Sequence, residues 1–163
     1  MADGAVLDGV LTRLIPTTED DVDLLGRWFA SPDFVEHWGG VPISRDEVAE
    51  KYLGRRRPRV GSFLVLAHGT PVGYAQYWQA GVAEGGIDMV LAPQARGRGL
   101  GPDAARALLA HLGGTLGWRR VTVDPLRGNV RAVHAWEKAG FRQVSSEAES
   151  LLMEFSLSEG RQG

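Results

Sequence analysis

Between Ala92 and Leu112 the chain reads APQARGRGLGPDAARALLAHL, three glycines at alternate positions running straight into a helical pattern. Ala105, Leu108, Leu109 and Leu112 recur on one helix face, and Pro102 suits the first turn, where a missing N–H costs nothing. The glycines before it can enter left-handed backbone conformations and turn successive N–H groups to one side, beside the positive end of the helix dipole. A turn of this kind binds an anion, and Arg96 and Arg98 add charge to it. Pyrophosphate is the best fit. The dinucleotide fingerprint G-x-G-x-x-G is not met, because after Gly97 and Gly99 the third glycine comes one residue early at Gly101. No Lys-Ser/Thr pair follows, which excludes the ATP-type loop.

The flanking pattern predicts an α/β (α+β) domain. Strands are expected at 9–16, at 61–80 as a hairpin turning at His68 to Pro71, at 85–92, at 118–125, and at 141–146 and 150–157. Helices are expected over 17–30, capped by Thr17 or Thr18, over 44–54 with Ser44 and Glu47 at capping-box spacing, after the glycines, and from Asn129 to Gly140. About seven strands and about four helices result, with a hairpin region and a β-α-β crossover in one mixed central sheet. The reading is a single domain over 1–163, with 158–163 as a frayed tail.

The chain has 163 residues and no cysteine, so disulfides, thiolate metal sites and a cysteine nucleophile are excluded. His37, His68, His111 and His134 show no metal-ligand spacing. No apolar run approaches a membrane span, and acids stand where a signal peptide would be basic, so a cytoplasmic address is expected. The first fifty residues hold eleven Asp and Glu against three Arg, whereas 93–142 hold nine basic residues against three acidic ones. That polarity suits an anion on one face and a cation on another, with solvated charge on helix surfaces as the plainer alternative. No nucleic-acid motif accompanies the basic half.

The run Gln94-Ala95-Arg96-Gly97-Arg98-Gly99 resembles the acyl-CoA site of the GNAT acetyltransferase superfamily, and VDPLRGNVRAVHAWEKAGF resembles the second half of its core. The stretches EHWGG, PVGYAQYW, GGIDMVLA and VDPLRGNVRA further look like the aminoglycoside 6'-N-acetyltransferases, with siderophore-pathway lysine N-acyltransferases as relatives. The likeness spans about 35–141. It implies a sheet whose fourth and fifth strands splay apart, acetyl-CoA as co-substrate, and direct transfer of acetyl through a tetrahedral intermediate to a primary amine. The acceptor implied is the 6'-amine of an aminoglycoside, with antibiotic resistance as the consequence.

Residue roles follow from the chemistry and from that resemblance. An alkylammonium has a pKa of about 10, so a carboxylate must hold it and help it lose a proton. Asp88, in GGIDMVLA, is the candidate, and the matching family position binds substrate and is often proposed as the base; a solvent-facing acid on an alternating strand is the plainer alternative. Asp124 could face it from the end of the next strand, or simply form an Asp-Pro turn. Glu36 and Trp38 could add a charge and an aromatic wall, Trp38 equally serving as core. The resemblance assigns the acetyl oxygen to a backbone N–H near Met89, Val90 or Leu91, and the pyrophosphate to Gln94, Ala95, Arg96, Gly97, Arg98, Gly99, Leu100 and Gly101. Asn129 matches a pantetheine-binding position, or caps the following helix.

One departure stands out. Trp136 occupies the position of a tyrosine often proposed to protonate the leaving thiolate. Indole donates a hydrogen bond but does not release its proton, and leaving a thiolate unprotonated near neutral pH concedes about 2 kcal/mol. Two further readings stay open: acylation of a small amine such as a siderophore lysine derivative or a polyamine, and, because of Trp136, a non-catalytic acyl-CoA-binding module. The chain is expected to be a monomer or a homodimer.

Overall fold

The computed structural model describes residues 4–146 and 149–157; the expected frayed tail at 158–163 lies outside the described residues. In chain order the strands are β1 (Leu7–Asp8), β2 (Arg13–Pro16), β3 (Val60–Ala67), β4 (Thr70–Gly81), β5 (Glu84–Leu91), β6 (Arg120–Val123), β7 (Arg142–Ser146) and β8 (Leu151–Ser156). The helices are α1 (Val22–Phe29), α2 (Pro32–Val35), α3 (Arg45–Tyr52), α4 (Leu100–Gly114) and α5 (Val130–Lys138). One eight-stranded sheet has the order β1-β2-β3-β4-β5-β6-β8-β7. The sequence pattern predicts about seven strands and about four helices; the structure adds the two-residue β1 and the one-turn α2, both too short to leave a periodic signal.

Neighbouring strands are antiparallel except β5 and β6, which α4 connects as a parallel crossover. Helices α1 to α3 pack one face, burying Leu25, Phe29, Phe34, Val48 and Tyr52 against Leu64, Tyr74 and Val90. Helix α4 buries Ala104, Ala105, Leu108 and Leu112 on the other, with Phe63, Tyr77, Ile87 and Trp118. The β3–β4 turn is just His68 and Gly69, with φ of 53° and 79°, the left-handed pair a two-residue hairpin needs; Thr70 and Pro71 belong to β4. Thr18 caps a single 3-10 turn ahead of α1, while the Thr17 hydroxyl donates to the Tyr52 carbonyl at 2.7 Å. Among the described residues no helix is long and apolar enough to cross a membrane.

Two local devices position the site. Strands β5 and β6 pair only from Glu84 to Gly86 against Arg120 to Thr122, after which β5 continues to Leu91 paired with β4 alone. A wedge opens there. The adjacent Gly85 and Gly86 serve opposite faces: a Cβ at Gly85 would strike the Trp118 ring, and one at Gly86 would strike the Trp78 indole. Trp118 thereby fills the α4-side core and Trp78 lies flat across β5 on the other side.

On α4, the buried Asp103 accepts from the N–H groups of Val10, Leu11 and Thr12 and from the Thr12 hydroxyl at 2.7–3.0 Å. Desolvation pushes its carboxyl up, but these four donors hold it below its ordinary value. The β1–β2 turn is thus fixed to the start of α4, beside Gly99.

Candidate active site

Gly97 and Gly99 have φ of 77° and 81°, backbone that a side chain strongly disfavours. Gly99 is the N-cap of α4 and no side chain caps the helix, so the N–H groups of Leu100 and Gly101 are left for a ligand. Gly101 differs. It lies within the helix at an ordinary φ, and a Cβ there would reach only Leu91 at 3.8 Å. From this turn a groove of about 330 Å³ runs between the start of α4 and α5, walled by Leu91, Ala132, Ala135 and Trp136.

The arginines divide the work differently from the sequence expectation. Arg96 donates from Nε to the Leu91 carbonyl at 3.0 Å and from Nη2 to the Asp33 and Phe34 carbonyls at 3.1 and 3.3 Å. It also lies 3.7 Å from Glu36. Most of its donors are therefore committed to main chain, tying α2 to the end of β5. A second guanidinium comes from α5: Arg131 sits 3.6 Å from the position of a Gly97 Cβ and lines the same groove. Gln94 and Arg98 are exposed off the groove wall, and Ala95 is buried in the core.

At the inner end of the groove the pairing of β5 decides which backbone groups are free. Ala92 N–H donates to the Val72 carbonyl at 2.8 Å, and alternation along an antiparallel pair then directs Val90 toward Tyr74. Met89 and Leu91 consequently turn their N–H groups away from β4, into the wedge. Asn129 caps α5, its Oδ1 accepting from Ala132 N–H at 3.2 Å, and its amide nitrogen remains as a donor on the groove wall. Trp136 packs edge-on against Phe141, ring centroids 5.2 Å apart, and presents its other side to the groove.

Asp88 stands on the α1–α3 face of β5. Its Oδ2 accepts from Gln76 Nε2 at 3.1 Å and Trp78 Nε1 at 3.0 Å, which leaves Oδ1 for a further donor. Burial pushes this carboxyl above its ordinary value and the negative charge of Asp124 adds to the rise, while the bonds from Gln76 and Trp78 oppose it. The two acids are therefore electrostatic neighbours. Desolvation pushes Asp124 up as well, although the residue as a whole is exposed. Trp38 donates to the Tyr52 hydroxyl at 3.1 Å and packs with Phe29 and Tyr74 as one aromatic wall. Glu36 is open to solvent and shares a second cavity with Arg127, Asn129 and Glu149; His37 lines both cavities, where they meet.

A wedge between splayed strands, a glycine cradle at a helix start and a paired acid site make up this cleft. The acetyltransferase (GNAT) domain family matches residues 12–142. The chain belongs to the GNAT acetyltransferases. An aminoglycoside N(6')-acetyltransferase type 1 from Klebsiella pneumoniae is 33% identical over 153 residues, covering 83% of this chain and 75% of its own length. The aminoglycoside acetyltransferase AAC(6')-Ib, solved with coenzyme A and kanamycin, superposes with a TM-score of 0.81 at 25% identity over 93% of this chain and 98% of its own. A spermidine N-acetyltransferase from Vibrio cholerae, solved with CoA and spermine, shares the fold with a TM-score of 0.82 at 16% identity.

This GNAT acetyltransferase uses acetyl-CoA as co-substrate. Gln76, Trp78, Arg131 and His37 join the site only once the chain is folded. Gln76 and Trp78 carried a signal in hindsight, since both stand at alternate positions of a strand that pairs with the one holding Asp88. Arg131 carried none, because its place beside Gly97 arises only when α5 packs next to α4.

Proposed function

We propose that the chain acetylates the 6'-amine of an aminoglycoside from acetyl-CoA, a reaction that confers resistance by removing a cationic charge from the antibiotic. The observation that carries this reading is the pair Asp88 and Asp124, the charge of one acting on the other, with Asp88 next in the chain to Met89 of the groove wall. Such a pair binds two ammonium groups of a polycation. A module that only senses acyl-CoA has no use for it. A single domain over 1–163 and a cytoplasmic location complete the reading.

The positive-φ turn at Gly97 and Gly99, the α4 N-terminus and Arg131 hold the pyrophosphate; Asn129 donates to the pantetheine arm. Met89 or Leu91 N–H polarises the thioester carbonyl in the wedge and stabilises the oxyanion. Asp88 Oδ1 takes the proton as the amine nitrogen bonds to the carbonyl carbon. The C–S bond then breaks, and the thiolate leaves with its electron pair, taking a proton from water. Thiol release measured with aminoglycosides, lysine derivatives and polyamines as acceptors tests the assignment: aminoglycosides should be the best substrates, and a clear preference for either other class would overturn it.

Since no side chain with a transferable proton stands at 136, Trp136→Tyr is expected to change turnover only modestly, by at most about tenfold to thirtyfold. A wild type silent on every acceptor and rescued by the tyrosine would contradict this.

The Asp88–Asp124 pair also sets a pH dependence. A base must be ionised, so the acidic limb of kcat/KM follows Asp88 in the free enzyme, and its raised pKa moves that limb upward from the ordinary carboxylate range. Removing the charge of Asp124 relieves part of the rise. Asp124→Asn should therefore shift the limb to lower pH; an unmoved or upward-shifted limb would show that the acids do not interact.

A further inference from the structure

Ser62, Gln76 and Asp88 lie in one cross-strand row over β3, β4 and β5, with Tyr74 beside them on β4. Ser62 and Tyr74 are 1% and 0% exposed, so their polar atoms must be satisfied by each other. The Tyr74 hydroxyl lies 2.8 Å from Ser62 Oγ and 2.9 Å from Gln76 Oε1. It has one proton, and an amide oxygen can only accept. Tyr74 therefore donates to Gln76 Oε1 and accepts from the Ser62 hydroxyl. Gln76 in turn has its Nε2 fixed toward Asp88 Oδ2. All donors in this chain point the same way, from Ser62 to the carboxylate.

Both groups on Oδ2, Gln76 Nε2 and Trp78 Nε1, are donors that cannot accept a hydrogen bond from a protonated carboxyl. A proton arriving at Asp88 is thereby confined to Oδ1, the oxygen that takes neither of these bonds. If Gln76 could turn its amide, Oε1 would face Oδ2, accept from a protonated carboxyl and hold the base in a spent form. That turn would force both hydroxyls to reverse, Tyr74 accepting from Gln76 Nε2 and donating to the buried Ser62, so the Tyr74–Ser62 pair opposes it. We propose that Tyr74 and Ser62 are positioning residues for Asp88, locking Gln76 as a donor so that the proton taken from the amine stays on Oδ1 and returns from there to water. This rests on the reading of Asp88 as the base.

The groups facing Asp88 are Gln76, Trp78 and Tyr74 from β4, Asp124 after β6 and the Tyr52 hydroxyl from α3. Of these, only the Gln76 amide changes its bonding when Tyr74 loses its hydroxyl; Ser62, which also loses a partner, does not touch Asp88.

The test measures kcat/KM against pH for thiol release from acetyl-CoA with kanamycin, together with a carbon-13 NMR titration of the Asp88 carboxyl, in wild type, Tyr74→Phe, Ser62→Ala, Gln76→Leu and the Tyr74→Phe/Gln76→Leu double variant. Tyr74→Phe keeps the ring and its packing. It is expected to lower kcat/KM near neutral pH by about tenfold and to move both the acidic limb and the NMR titration upward. Ser62→Ala should shift them in the same direction by less. In the Gln76→Leu background the tyrosine change should add nothing, because its target is gone. An unmoved Asp88 titration in Tyr74→Phe, or singles that add fully in the double variant, would overturn the proposal and leave Tyr74 a packing residue. Failure of the underlying reading looks different: Asp88 then titrates in the NMR experiment as described while the acidic limb of kcat/KM does not follow it.

Discussion

Asp88→Asn should reduce kcat on an aminoglycoside by about 10²- to 10⁴-fold, the range that loss of a positioned general base commonly produces. Its affinity for acetyl-CoA should stay near that of the wild type, because the pyrophosphate turn and the pantetheine wall are built from α4, α5 and the end of β5 at Met89 to Leu91, and Asp88 does not line that groove. The substitution is nearly isosteric. The asparagine can still accept from Gln76 and Trp78 through its amide oxygen, so the loss falls on the charge at Oδ1 and not on the strand. Steady-state rates and calorimetry on the same variant separate the two effects. Full turnover at saturating and subsaturating acceptor would remove Asp88 from the mechanism.

Gly99→Val is expected to weaken CoA binding by more than tenfold while the domain remains folded. Gly99 has a φ of 81°, a region that a β-branched residue enters only at a cost of about 1–3 kcal/mol. The turn must relax to escape it, and the first N–H groups of α4 then leave the position at which they converge. No heavy atom comes closer than Leu11 at 4.0 Å to a Cβ at this residue, so the penalty is conformational and not a collision. Gly101→Ala provides the contrast, since its φ is ordinary and its Cβ would make only an ordinary contact with Leu91 at 3.8 Å, and a much smaller loss is expected. Calorimetric titration with CoA and a thermal melt measure both; unchanged affinity in a folded Gly99→Val protein would contradict the cradle.

What the sequence disclosed depended on how local the physics was. The cradle was legible because a left-handed turn, a proline in the first helical turn and a 3.6-residue apolar period all act within twenty residues. Asp88 was legible because an acid inside an apolar strand needs a reason. The role of Arg96 was not, because its carbonyl partners on α2 belong to a helix of one turn that leaves no pattern. Nor were Gly85 and Gly86: each clears space for a tryptophan distant in sequence, on opposite faces of the sheet. The directional chain from Ser62 to Asp88 required the register of three strands, and register is set by tertiary packing as well as by the turns between strands.

The most direct test is thiol release from acetyl-CoA with two aminoglycosides that differ at one position, kanamycin with an amine at 6' and paromomycin with a hydroxyl there. Turnover on kanamycin, with the single acetyl group located on the 6' nitrogen by NMR of the product, and none on paromomycin is the expected result. Equal turnover on both would move the reaction to another amine, and no turnover on any aminoglycoside, despite tight acetyl-CoA binding, would contradict the acceptor site at Asp88 and Asp124.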